Sequence, residues 1–196
     1  MFTGIIIDIG EVFKIEIKKG DKKFFISTKL KLINLKIGSS ICCSGVCLTI
    51  IRNGKIKNKN FFVVAASEET LSKSNLKNWT IGTFFNLENS LKVGNEISGH
   101  LVFGHIDGVA KVLSIKKVKG SLEFNFNLPT NLKRYIASKG SICIEGVSLT
   151  VNGINKNNFY VNIIEYTKKT TTFNKINVGD FVNIEIDMLA RYACRN

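Results

Sequence analysis

Residues 40–50 read SICCSGVCLTI, and residues 141–151 read SICIEGVSLTV. At a constant offset of 101, seven of the eleven positions are identical, among them Cys42/Cys143, Gly45/Gly146, Leu48/Leu149 and Thr49/Thr150. That density of matches marks a duplicated unit. The repeat extends in both directions. Phe62-Val63-Val64 falls on Phe159-Tyr160-Val161 at offset 97, Thr70 falls on Thr167, and IGTFFNLEN (81–89) falls on VGDFVNIEI (178–186). Gly4-Ile5-Ile6 falls on Gly104-His105-Ile106 at offset 100. The change from 101 to 97 predicts four residues gained by the first copy in a loop within the polar stretch 52–60. The expected division is 1–96 and 97–187, with the turn Gly94-Asn95-Glu96 at the boundary and 188–196 as a helical tail.

Each copy reads as β-structure. Short β-branched and aromatic runs at Ile5–Ile9, Phe24–Ser27, Ile41–Cys43, Val46–Ile51, Phe61–Ala65 and Phe84–Leu87 are separated by Gly, Asn and Asp. The spacing predicts an all-β sandwich or barrel. Helices are expected at Ser67–Asn75, where carboxylates follow a Ser cap, at Pro129–Ala137, and in the tail. In both copies the apolar parity switches at the central Gly: Ile41 and Cys43 give way to Val46, Leu48 and Ile50, and Ile142 and Ile144 to Val147, Leu149 and Val151. A bulge or tight bend is expected there. Cys47 and Thr49 then share the face opposite the apolar set, as do Ser148 and Thr150. That face reads equally well as solvent-exposed or as the polar lining of a ligand site.

The net charge is +13, from 28 Lys and Arg against 15 Asp and Glu. Only four of the basic residues are Arg (Arg52, Arg134, Arg191 and Arg195), the Lys are scattered, and no aromatic stacking platform can be placed on one strand face. No nucleic-acid partner is expected. No apolar run is long enough to span a membrane as a helix, and the start MFTGIIIDIG reads as a strand without a basic leader, so a cytoplasmic protein with no membrane partner is expected. The five Cys form no C-x-x-C pair and lie far from the two His, so no metal site is expected. Cys42, Cys43 and Cys143 read as small buried hydrophobes.

The copies differ where chemistry would sit. Cys47 stands where the second copy has Ser148, and His105 where the first has Ile5. Both His lie in GHLVFGH, at 100 and 105, and on a strand they would face opposite ways. Two His in a Gly-flanked motif favour a functional role for one of them.

The segments MFTGII, GVCLT, EETL, SGHLVFGHIDG, YIASKGSICIEGVSLTV and VNIEID occur in order across nearly the whole chain, and together they resemble the riboflavin synthase family. The resemblance implies two tandem six-stranded Greek-key β-barrels with short helices, a C-terminal helix and a homotrimer. It implies two bound molecules of 6,7-dimethyl-8-ribityllumazine, one per barrel. A four-carbon unit passes between them to give riboflavin and 5-amino-6-(ribitylamino)pyrimidinedione, without cofactor or metal. The active site would lie between barrels of neighbouring subunits, and association with lumazine synthase, the upstream enzyme, is a further implied partner. By matched motif, Ser40, Cys47, His105, Ser148 and Asp187 would be the catalytic group. Cys47 would act as a nucleophile or aligner at C7, and His105 would move the proton of the acidic C7 methyl. Phe2, Thr3, Thr49, Ala65, Glu69, Thr70, Lys139, Glu145, Thr150, Ile164 and Thr167 would hold substrate. The alternative is a non-catalytic lumazine- or flavin-binding antenna-type protein, which shares the duplicated fold. Retention of Ser40, Cys47, His105, Lys139 and Ser148 favours the enzyme.

Some positions depart from the family pattern. Glu145 replaces an Asp, Glu165-Tyr166-Thr167-Lys168 replaces Pro-(His or Glu)-Thr-Leu, and Phe103 replaces a polar residue. The stretch after Asp187 allows about two helical turns, from which a weaker trimer is expected.

Overall fold

The computed structural model describes residues 1–194. The two residues Arg195 and Asn196 of the expected helical tail lie outside the described residues. Twelve antiparallel strands make two closed barrels with one topology. The first uses β1 (Asp8–Lys18), β2 (Asp21–Thr28), β3 (Ser40–Cys43), β4 (Val46–Ile56), β5 (Lys59–Ala66) and β6 (Phe84–Asn89), paired in the order β1-β2-β5-β4-β3-β6. The second uses β7 (Gly108–Val118), β8 (Ser121–Asn127), β9 (Ser141–Ile144), β10 (Val147–Asn155), β11 (Asn158–Ile164) and β12 (Phe181–Ile186) in the corresponding order. Three hairpin-connected strands with a fourth returning beside the first form the Greek key. Each barrel closes over its own core, built on Phe24, Phe62, Trp79 and Phe85 in the first and Phe124, Phe126, Phe159 and Phe173 in the second.

The parity switch is a hairpin turn. Ser44-Gly45 (φ +44° and +88°) joins β3 to β4, and Glu145-Gly146 (φ +51° and +79°) joins β9 to β10. Two successive positive φ values match the twist that a two-residue hairpin needs. The four extra residues of the first copy are not a loop. They add two residues to each arm of the β4–β5 hairpin, which runs from a bulge after Ile50 to the turn Lys57-Asn58, whereas β10–β11 turns sooner at Lys156-Asn157. The longer hairpin brings Phe61 edge-on to Phe13, which is edge-on to Phe25. Lys14 lies over the Phe25 ring and Arg52 over the Phe61 ring.

The helices are short. Ser67 caps α1 (Glu68–Lys73) by accepting from the Thr70 N–H, with Glu68 and Glu69 in the first turn. α2 (Glu165–Thr170) is its repeat mate and α3 (Met188–Ala193) follows the Asp187 cap. The expected helix at Pro129–Ala137 is a 3-10 helix over Thr130–Tyr135, because the chain must leave extended at Ile136 to reach the turn into β9. The start is also corrected. β1 begins at Asp8, and Ile5–Ile7 are not strand, because Gly4 takes φ +78° and the chain before Asp8 crosses to the other barrel.

That crossing positions everything else. Ile6 packs on the second barrel's core, and Ile106, in the connection between barrels, packs on the first. The two exchanged segments meet at the bridge Phe2↔Val102. There Phe2, Val102, Cys42 and Cys143 form a small third core on a pseudo-twofold axis. Beside it the turns touch: a Cβ on Gly146 would lie 2.8 Å from the Gly45 nitrogen.

Candidate active site

Register places the candidate site side chains outside the barrels. Ser40 pairs with Thr49 and Cys42 with Cys47 across β3–β4, while the alternate pairs Ile41/Leu48 and Cys43/Val46 face the core. Ser40, Cys42, Cys47 and Thr49 therefore share the outer face, and the exposed Ala65 joins them on β5. The second barrel repeats this with Ser141, Cys143, Ser148 and Thr150, and the exposed Ile164 ends β11 beside α2, which carries Thr167. Lys139 donates its N–H to the Val151 carbonyl at 2.8 Å, at the edge of the same face. It holds φ +68°, a left-handed conformation that its counterpart Gly38 adopts freely (φ +84°).

The exchanged segments complete both faces in the same way. In the first barrel the Cys47 N–H donates to the Gly104 carbonyl at 2.9 Å, and in the second the Ser148 N–H donates to the Gly4 carbonyl at 2.9 Å. Each segment is clasped by a buried carboxylate. Glu88 accepts from the Thr3 N–H (2.8 Å), the Thr3 hydroxyl (2.9 Å) and the Gly4 N–H (2.9 Å). Its repeat mate Glu185 accepts from Phe103, Gly104 and His105 N–H at 2.7, 2.8 and 3.1 Å. Burial pushes the Glu185 carboxyl up to about 7 against the pull of those three donors, and raises Glu88 as well.

The clasp sets His105 over the first barrel. A cleft of about 230 Å³ is lined by Val46, Cys47, Glu69, Thr70, Lys73, Ser74, Gly104, His105 and Ile106. It brings together Cys47, His105, Glu69 and Thr70 from three separate stretches of sequence: a half-buried thiol beside an imidazole, with a carboxylate and a hydroxyl at the rim. Ser40 and Thr49 continue the same face, but Ser40 lines the next depression, with Ser39, Asn89 and Ser90. Phe2 and Thr3 are buried at the pseudo-axis, with Phe2 in the third core and Thr3 held by Glu88.

On the second barrel the partner of Ser148 is His100, whose Nδ1 lies 2.7 Å from the hydroxyl. Burial lowers the His100 pKa, and the charge of Asp187 opposes that shift. Asp187 itself caps α3 through the Leu189 N–H. The two His of GHLVFGH thus flank Val102 at the pseudo-axis, and one goes to each barrel. Burial raises the Cys42, Cys43 and Cys143 thiols far above their ordinary range, which suits packing and not reaction.

Glu145 stands apart from Ser148. It is 6% exposed, at the β9–β10 turn, and its Oε1 accepts from Asn75 Nδ2 (2.7 Å) and the Asn183 N–H (2.6 Å). Burial lifts its carboxyl to about 7. Asn86 and Asn183, also repeat mates, complete this network: Asn86 Nδ2 donates to the Glu145 carbonyl and Asn183 Nδ2 to the Ser44 carbonyl. Glu145 therefore joins the barrels to each other.

Sequence reasoning missed the four residues that organise the site: Glu88, Glu185, Asn86 and Asn183. Their signal is present in NLE (86–88) and NIE (183–185), the same two polar residues recurring inside apolar strands of both copies. Among the described residues, no group of three or more His, Cys, Asp and Glu is arranged to hold a metal, and no helix is long and apolar enough to cross a membrane.

Comparison with known proteins bears on this geometry. The lumazine binding domain model matches twice, over residues 3–90 and 103–187. The riboflavin synthase of Brucella abortus (strain 2308) is 44% identical over 196 residues, covering 100% of this chain and 97% of that protein. That of Photobacterium phosphoreum is 36% identical, covering 98% and 87%. That of Bacillus subtilis (strain 168) is 32% identical, covering 100% and 89%. Among solved structures, LumP complexed with riboflavin superposes with a TM-score of 0.84 at 23% identity, covering 95% of this chain and 99% of the other. LumP complexed with 6,7-dimethyl-8-(1'-D-ribityl) lumazine gives a TM-score of 0.82. At that identity the likeness concerns the fold.

Proposed function

The chain belongs to the riboflavin synthase family, with two lumazine binding domains, and from that premise we propose that it joins two molecules of 6,7-dimethyl-8-ribityllumazine by moving a four-carbon unit from one to the other. The products are riboflavin and 5-amino-6-(ribitylamino)pyrimidinedione. Together they contain every atom of the two substrates, so the balance calls for no oxidant or reductant.

The observation that carries the proposal is a pair of related but chemically unequal sites: Cys47 with His105 on one barrel, Ser148 with His100 on the other. A reaction between two identical molecules, one losing and one gaining carbon, calls for such a pair. In this reading His105 takes the C7-methyl proton and Cys47 attacks or aligns attack at C7. Glu69, Thr70, Thr49, Ala65 and Ser40 hold the first ring and chain. Ser148, Thr150, Ile164, Thr167 and Lys139 hold the second, with Asp187 beside His100. Phe2, Thr3 and Glu145 support the site by fixing how the barrels meet. Much of the rate comes from holding two rings in reacting orientation.

The division into 1–96, 97–187 and 188–196 is part of the proposal, as is assembly as a homotrimer with sites completed between subunits. Leu189 and Tyr192, 69% and 65% exposed on one side of α3, supply an apolar contact for that assembly. Association with lumazine synthase and a cytoplasmic location fit the reaction class.

The test is incubation of the purified chain with the lumazine alone, following riboflavin absorbance. Riboflavin should form at one molecule per two lumazines consumed. Tight binding without turnover would replace this reading with that of an antenna-type binding protein.

A further inference from the structure

We propose that His100 is a positioning residue for Ser148, fixing the direction of its hydroxyl on the second barrel's outer face. The inference rests on the reading of that face as a reacting site.

Three features carry it. First, the contact is held from several sides. His100 Nδ1 lies 2.7 Å from Ser148 Oγ, the His100 N–H donates to the Thr3 carbonyl at 3.2 Å, and the Ser148 N–H donates to the Gly4 carbonyl at 2.9 Å. Gly99 permits this approach: a Cβ there would lie 2.0 Å from the Thr3 oxygen and 2.8 Å from Ser148 Cβ. Glu88 fixes Thr3 and Gly4 in turn, so the imidazole and the hydroxyl are anchored through one clasp.

Second, the imidazole occupies its place at a cost. It is 9% exposed, and its Nε2 has no partner among the described residues. A buried polar nitrogen left unpaired is unfavourable, and an apolar ring would fill the same space without that penalty. The bond to Ser148 is the interaction that only a polar ring supplies. Burial favours the neutral imidazole, with Asp187 opposing that shift. In either tautomer Nδ1 sets the hydroxyl torsion, by accepting its proton or by donating to its oxygen.

Third, the arrangement is asymmetric. Cys47, the repeat mate of Ser148, has no hydrogen bond from its Sγ among the described residues, although His105 lines the same cleft. The two sites therefore differ in how the side chain is held as well as in its chemistry. The second barrel presents a hydroxyl held by a hydrogen bond and the first a thiol held by packing against the third core.

A double-mutant cycle on the full chain reads the coupling. His100→Ala should lower kcat for lumazine turnover about tenfold to a hundredfold, the scale of a misplaced group, with KM changed much less. In a Ser148→Ala background the same substitution should change kcat by less than about twofold, because its target is gone. His100→Asn, which keeps a hydrogen-bonding atom at the Nδ1 place, should recover most of the loss. Equal losses in both backgrounds, or no loss in either, would overturn the proposal. Imidazole nitrogen NMR decides the contact independently of turnover, and the chain has only two His. Ser148→Ala should move the His100 Nδ1 resonance and leave His105 in place, whereas an unmoved His100 would overturn the proposal. A chain that binds lumazine without turning it over would remove the proposed function, and these spectra would still decide the role of His100.

Discussion

Cys43 and Cys47 are the same side-chain type on adjoining strands, yet the register gives them opposite fates. Cys43 is fully buried in the first barrel's core, while Cys47 lies on the outer face in the cleft with His105. Cys47→Ser should therefore lower turnover by about tenfold or more, as loss of a nucleophile or aligner does, with little change in thermal midpoint. Cys43→Ser places a hydroxyl in apolar surroundings and should cost about 1–3 kcal/mol of stability. The folded fraction should keep a kcat near wild type. Steady-state kinetics and thermal unfolding of both variants check this, and equal kinetic effects would mean the faces are misassigned. The parity of the repeated segment was enough to place Cys47 outward, because alternation is a local property. The partnership of His100 with Ser148 was not readable, since it depends on a segment that is not a strand and on the exchange that brings it across the pseudo-axis.

The β3–β4 and β9–β10 hairpins each do two jobs, closing a barrel and meeting the other barrel. Gly146 needs its left-handed backbone for the turn, and a Cβ there would also lie 2.8 Å from backbone nitrogen of Gly45. Gly146→Ala should therefore cost more than the turn alone, about 2–4 kcal/mol once left-handed strain and backbone displacement combine. Gly82 is the control: it has φ +88° but open space around it, so Gly82→Ala should cost only about 1–2 kcal/mol. Urea unfolding of both variants separates the two contributions, and equal losses would show that the contact between turns adds nothing. At this scale the sequence was informative about turns and unreliable about ends. Gly-centred punctuation located the hairpins, and the Ser67 cap located α1. The extra four residues looked like a loop because they are polar, but a hairpin arm standing clear of the core can be polar and still pair. Ile5–Ile7 looked like strand because they are β-branched, yet Gly4 and the Glu88 clasp, a contact 84 residues away, divert them.

Across the whole molecule, the barrels are joined by polar groups that burial has made responsive to pH. Glu145 and Glu185 both have their carboxyls pushed up to about 7, Glu145 at the junction of the turns and Glu185 in the clasp on the His105 segment. A carboxyl whose folded value lies above its unfolded one binds its proton more tightly when folded. Its contribution to stability is complete below the ordinary carboxyl range and is lost as pH rises from there through about 7. Within that window each carboxyl can remove up to about 1.4 kcal/mol per pH unit, and each kcal/mol moves the midpoint by about 2–4 °C in a chain of this size. The many Lys oppose the trend by repelling one another more strongly as other carboxylates protonate, so the substitution that isolates the junction is the informative one. Glu145→Gln keeps the oxygen that accepts from Asn75 and the Asn183 N–H but cannot ionise. Its advantage over wild type should grow as pH rises from about 5 to about 8 and vanish at the acidic end. Thermal midpoints across that range would show a flatter profile for the variant. Parallel profiles would place the ionisation of Glu145 outside the balance that holds the two barrels together.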